Sequence, residues 1–205
     1  MGERNSLAMY GAKPRSARWL AGLASLLFGL NAWGAHAAED EKRLIDLVRT
    51  GQAFAIMRHA LAPGTGDPAN FDVNDCKTQR NLSATGRTQA TAIGARLRSL
   101  GLEAADVMSS AWCRCQDTAR LLKLGPVTVL PALNSFFQDM ANREPQTRTL
   151  RHWLTARTSR APLVLVTHQV NVSALTGRFT TSGAIIVASL QPDGGVTVHG
   201  RLEPQ

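Results

Sequence analysis

Tyrosine occurs once in this sequence of 205 residues, at Tyr10, and aromatic residues of all kinds make up 5% of it. No basic stretch interleaves with aromatics. The chain therefore lacks the stacking platform of a nucleic-acid-binding surface, although its formal net charge is +8. Cysteine is scarce too. Cys76, Cys113 and Cys115 form one Cys-x-Cys pair and a distant third, short of the four ligands of a structural zinc site. No apolar run reaches the roughly 20 residues of a membrane span. No elbow glycines or acidic partner surround Ser109, which excludes it as a serine-hydrolase nucleophile. There is no internal repeat, low-complexity segment or domain linker.

What is present begins with a leader. Arg4, Lys13, Arg15 and Arg18 precede a short apolar stretch from Trp19 to Trp33, and Ala35-His36-Ala37 offers small residues at the two positions a signal peptidase reads. Residues 1–37 are expected to be a signal peptide. Residues 38–205 are then one mature domain, periplasmic or secreted, with no stable membrane insertion after cleavage. No cysteine follows the apolar run, against a lipoprotein, and no twin arginines precede it, which favours the general secretory route. The leader carries four basic residues and one acidic residue, so the formal charge falls from +8 to +5 on its removal. That balance suits an anionic ligand. An oxidising compartment also permits a disulfide.

Strand and helix patterns alternate along the mature chain. Glu39 to Arg49 reads as an amphipathic helix ended by Gly51, and Ala53–Met57 as a buried strand. A Gly- and Pro-rich loop runs from Ala60 to Gln79. A helix follows from Ser83 to about Leu100, then a short strand at Asp106–Met108 and a helix from about Cys115 to Leu124. Val127–Leu130 is a strand, Gln146 to Arg157 a helix, Leu163–Val166 a second fully apolar strand, and Val170 to Leu175 a short helix. Ala184–Leu190 and Gly195–Leu202 close the chain as a hairpin. The alternation predicts an α/β fold, a three-layer α/β/α sandwich on a mostly parallel sheet.

Two apolar strands each end in a histidine: Phe54-Ala55-Ile56-Met57-Arg58-His59 and Leu163-Val164-Leu165-Val166-Thr167-His168. Ligands of open α/β sheets bind beyond the carboxyl ends of the strands. Between them in sequence, Ser109-Ser110-Ala111-Trp112-Cys113-Arg114 follows a third strand. This ordered set, with Arg80-Asn81-Leu82-Ser83-x-x-Gly86 and Val166-Thr167-His168-Gln169-Val170-Asn171, resembles the histidine phosphatase superfamily, with its phosphoglycerate mutase-like fold, and in particular a small exported bacterial branch. The chemistry suits the residues. A phosphoryl group in transfer spreads charge over three oxygens, and arginines can grip those oxygens in bidentate fashion. Arg58 and Arg114 are expected to do so, His59 to attack phosphorus as a neutral imidazole, and His168 to donate as a protonated or nearly protonated ring. Arg80 and Thr167 are further candidates for phosphate contact. The resemblance implies a transient phosphohistidine on His59, no cofactor and no metal. It also implies as substrate a phosphorylated small molecule or a phosphorylated envelope glycan.

Two departures from the family pattern stand out. Ala60 replaces the glycine of Arg-His-Gly, which would cost roughly 1–2 kcal/mol if that residue were left-handed. The proton donor for a leaving alkoxide is missing from its usual place. Asp139 is the candidate acid, Glu144 the next, and without one only good leaving groups, such as the phosphoramidate of phosphohistidine, would turn over well. A bridge from Cys76 to Cys113 or Cys115 would tie the long loop to the Arg114 turn. Residues at i and i+2 of an extended segment point opposite ways, so only one can face Cys76, and Cys115 is narrowly preferred. Three readings of function stay open: a phosphomonoesterase, a phosphohistidine phosphatase, and a phosphate-binding module without efficient turnover. A mutase is disfavoured by the compactness of the chain.

Overall fold

A computed structural model describes Gly2 and residues 38–204. Apart from Gly2, the expected leader lies outside the described residues. Helix α1 covers residues 38–49. It is followed by β1 (Phe54–Arg58), α2 (Ala84–Ser99), β2 (Asp106–Ser109), α3 (Cys113–Leu122), β3 (Val127–Val129), α4 (Arg143–Ala156), β4 (Leu163–Thr167), α5 (Gln169–Thr176), β5 (Ile185–Leu190) and β6 (Val196–Leu202). The six strands form one sheet in the order β3-β2-β4-β1-β5-β6. The first four run parallel, β5 pairs antiparallel with β1, and β6 closes the edge as the second arm of the hairpin.

The pleat of β1 and β4 sorts their apolar residues between two cores. Ala55, Met57, Val164 and Val166 face one side, where Leu44 and Ile45 of α1, Ile93 and Leu97 of α2, and Ala119 and Leu122 of α3 cover them. Phe54, Ile56, Leu163 and Leu165 face the other, under Leu150 of α4 and Val172 and Leu175 of α5. This is the three-layer sandwich expected from the alternation, and burial on both faces is why these strands are apolar throughout. Ser83 starts α2 as a cap, its hydroxyl accepting from the Gly86 N–H at 3.0 Å. Gly86 is required there for space: a Cβ would lie 2.0 Å from the Leu61 carbonyl oxygen. The helix can thus begin against the backbone of the loop that leaves β1.

Candidate active site

Parallel register brings three strand ends together. Arg58 is level with Thr167, and Ser109 with Val166, so β4 lies between the carboxyl ends of β1 and β2. The His59 N–H donates to the Thr167 carbonyl at 2.9 Å, and the Ser110 N–H to the Val166 carbonyl at 3.0 Å, which carries the sheet's pairing into the two turns. Beyond these ends is a cavity of about 240 Å³ lined by Arg58, His59, Asp67, Arg80, Arg114 and His168, among others.

His59 is buried, and its ring is fixed by Nδ1, 2.7 Å from the Ala60 carbonyl oxygen. A carbonyl only accepts, so Nδ1 carries the proton and Nε2 keeps its lone pair. Burial pushes the His59 pKa down to about 3. The Ala60 contact opposes this shift, while Arg114, Arg58 and Arg80 reinforce it. Ala60 itself carries no strain. Among the described residues the only non-glycine with positive φ is Lys123, so the expected penalty for losing glycine does not arise. The Ala60 N–H instead donates to Thr118 Oγ1 at 3.0 Å, and that hydroxyl donates to the Arg114 carbonyl at 2.7 Å.

His168 departs from the cationic donor expected of it. Burial, followed by His59 and the three arginines, holds its pKa well below the ordinary value, so the ring is neutral in this structure. Its Nε2 lies 2.8 Å from Ser110 Oγ and 3.5 Å from Cys115 Sγ. When Ser110 donates to Nε2, Nδ1 carries the ring's proton. The His59 and His168 rings meet edge to face at 5.6 Å, and Trp112 packs against His168 at 5.3 Å. Burial also pushes the Cys115 thiol up to about 12, so it stays protonated.

The residue that sequence reasoning missed is Asp67. Its carboxylate is 6% exposed and grips Arg114, itself 3% exposed, through two hydrogen bonds of 2.6 and 3.1 Å. Trp112 Nε1 donates to it at 3.0 Å and the Arg80 N–H at 3.1 Å. Burial alone would raise its pKa. The hydrogen bonds from Arg114, Arg80 and Trp112 outweigh burial and hold the carboxylate below its ordinary range. Arg80 is anchored by donating from Nε to the Gly66 carbonyl at 2.8 Å and from Nη1 to the Ala62 carbonyl. Arg58 donates to the Thr180 carbonyl at 3.4 Å. The Nε atoms of Arg58 and Arg114 are buried with no hydrogen-bond partner. Unmet buried donors are expensive, about 1–3 kcal/mol each.

Other expectations end differently. Thr167 is buried, but its hydroxyl donates to the Leu133 carbonyl at 2.6 Å, so its side chain serves the loop after β3 rather than the cavity. Asp139 is exposed and caps a single helical turn, accepting from the Ala141 N–H at 3.3 Å and Asn142 Nδ2 at 2.8 Å; it does not line the cavity. Glu144 is exposed on the first turn of α4 and does not line it either. The disulfide joins Cys76 to Cys113, not to the preferred Cys115. Residues 113–115 are helical rather than extended. Cys113, as the first residue of α3, meets the loop, while Cys115 turns to the sheet and contacts the Thr167 carbonyl. Asn134 was also unforeseen. Its side-chain oxygen accepts from the Ala111 N–H at 2.8 Å and so holds the Ser110-Ala111 turn.

Comparison with known proteins agrees with this geometry. The family described as the histidine phosphatase superfamily (branch 1) matches residues 55–162. No curated protein sequence matches. Among solved structures, the protein histidine phosphatase SixA, complexed with tungstate, superposes with a TM-score of 0.54 at 22% identity, covering 74% of this chain and 97% of SixA. The open reading frame Rv3214 from Mycobacterium tuberculosis superposes at 0.55 with 16% identity, covering 71% and 94%. The mycobacterial glucosyl-3-phosphoglycerate phosphatase Rv2419c, in complex with VO3, superposes at 0.52 with 19% identity, covering 71% and 96%. At these identities the shared property is the fold.

Proposed function

The chain belongs to branch 1 of the histidine phosphatase superfamily, and from that premise we propose that it is an exported phosphatase that hydrolyses a phosphomonoester through a phosphohistidine on His59. The observation that carries this reading is the setting of His59: a buried ring, its Nδ1 tied to the Ala60 carbonyl, in a cavity that Arg58, Arg80, Arg114 and His168 also line. Arg58, Arg114 and Arg80, all lining the cavity, hold the phosphoryl oxygens. His168 donates a further hydrogen bond from Nδ1. His59 Nε2 forms a bond to phosphorus as the ester oxygen departs with the bonding electron pair and takes a proton from water. A second water then attacks the phosphorus, releasing phosphate and restoring the neutral ring. Arginine at fixed positions stabilises the charge that builds in both steps. That SixA was solved with tungstate and the mycobacterial phosphatase with VO3 fits an oxyanion ligand.

The leader pattern, with residues 38–205 as a single mature domain, and the Cys76–Cys113 bridge support export to the periplasm or medium. A phosphorylated small molecule or envelope glycan fits that location. A second reading, a phosphohistidine phosphatase, is favoured by one observation. Asp67 is the only carboxylate among the described residues lining the cavity, and it is held ionised. A phosphoramidate needs less help from a buried acid than an alkyl ester does.

The test is release of phosphate from p-nitrophenyl phosphate, together with alkaline quenching, which preserves the P–N bond, and detection of phosphohistidine. The wild-type protein is expected to show both and His59→Ala neither. Binding of inorganic phosphate without turnover of any activated ester would instead identify a phosphate-binding module. Faster release from phosphohistidine than from every phosphomonoester would establish the second reading.

A further inference from the structure

Phe137 and Phe179 are 51% and 66% exposed, yet both line the cavity that holds His59. Neither belongs to the two cores, and each is carried on backbone fixed to the site. Phe179 precedes Thr180, whose carbonyl accepts from Arg58. The Phe137 N–H donates to Ser135 Oγ at 3.3 Å, and Ser135 follows Asn134, whose side-chain oxygen holds the turn leading to Arg114. Two large apolar rings thus stand half-exposed at a polar cavity, outside both cores.

The remaining charges of the cavity are already committed. Arg58, Arg80 and Arg114 are assigned to the phosphoryl oxygens, and Asp67 pairs with Arg114. Beyond these groups and the two histidines the lining is uncharged, with Thr65, Ser135, Gln138 and Gln169 as its hydrogen-bonding side chains besides Trp112. In-line attack by His59 expels the leaving group on the side of phosphorus away from the ring. The uncharged lining residues, Phe137 and Phe179 among them, are what the cavity offers to that leaving group.

We propose that Phe137 and Phe179 form a subsite for an uncharged, ring-bearing leaving group. The phenylalanines take the apolar face of the ring, and the glutamines and Ser135 take its hydroxyl groups. The proposal rests on the phosphatase reading and narrows its substrate class. A leaving group that carries a carboxylate would find no uncommitted cation among these residues.

The experiment compares benzyl phosphate with ethyl phosphate, whose alkoxide leaving groups are similarly basic, and glucose 6-phosphate with 3-phosphoglycerate, using the purified protein. In each pair the ring-bearing or uncharged leaving group is expected to react with the higher kcat/KM. The Phe137→Ala/Phe179→Ala double variant should lower the benzyl-to-ethyl ratio by about tenfold, chiefly through KM, as loss of aromatic contacts implies. The two side chains are exposed, so the variant should retain the wild-type unfolding temperature. Turnover with a ratio that the double substitution leaves unchanged, or a preference for 3-phosphoglycerate, overturns the subsite and leaves the phosphatase reading intact. No phosphate release from any of the four esters overturns the subsite, and no release from p-nitrophenyl phosphate as well overturns the phosphatase reading with it.

Discussion

At the scale of single residues, the site is set by what surrounds two imidazoles. Burial and three guanidinium groups keep His59 neutral, and the same surroundings act on His168. By nitrogen-detected NMR, neither ring is expected to titrate between about pH 8 and about pH 5, a range that spans the ordinary histidine value. A titration of the His59 ring near pH 6.5 would contradict the electrostatic account. Both histidines, Arg58 and Arg114 could be read from the sequence because each sits beside an unmistakable apolar strand. Asp67 could not. It lies in a Gly- and Pro-rich loop with no periodicity, and its role depends on Arg114 and Trp112, which are distant in the chain. Removing its charge as Asp67→Asn leaves the buried Arg114 without a full counter-ion, an expected loss of about 3 kcal/mol in stability. Added inorganic phosphate should restore stability in this variant more than it stabilises the wild-type protein, as measured by urea unfolding with and without phosphate. Equal stabilisation of the two proteins would separate Asp67 from the anion site.

At the scale of elements, the loop after β1 is held at several points, and each can be released separately. Gly86 lets α2 approach Leu61. Gly86→Ala places a Cβ 2.0 Å from that carbonyl oxygen, with an expected cost of about 1–3 kcal/mol from overpacking, measurable as a fall in unfolding temperature. The Cys76–Cys113 bridge spans a sequence separation of 37. Loop-closure entropy makes that crosslink worth about 4 kcal/mol, so Cys76→Ser or reduction should lower the denaturation midpoint accordingly. Intact mass with and without reductant, after alkylation, should show two cysteines changing state and Cys115 not. The strands and their order of appearance were legible from apolar runs and turn residues, but two helix starts were not. α3 begins at Cys113 after Trp112, and α4 at Arg143 after Asn142; neither preceding residue makes a side-chain cap. Without a capping signal the first turn of each helix looks like loop. An extended segment there lets one of Cys113 and Cys115 face Cys76 without saying which; the start of α3 at Cys113 makes it Cys113.

At the scale of the whole molecule, the three layers were legible and the energetics of the site were not, since pKa shifts come from burial that no local pattern encodes. Those shifts bear on global stability. Below about pH 6.5 the unfolded chain takes up a proton at each of these histidines, while folded His59 resists protonation until about pH 3. Stability should therefore fall as the pH drops through that window, by up to about 1.4 kcal/mol per pH unit for His59, with His168 acting in the same sense. Urea unfolding at a series of pH values measures the slope, and His59→Asn should flatten it. An equally steep slope in that variant would assign the acid sensitivity to other groups. The bridge between Cys76 and Cys113 adds a dependence on history. It ties the loop carrying Asp67 and Arg80 to the helix carrying Arg114, and it closes only where thiols are oxidised. A chain made in a reducing compartment and oxidised elsewhere would gain that tie, and the stability it carries, only after leaving its birthplace.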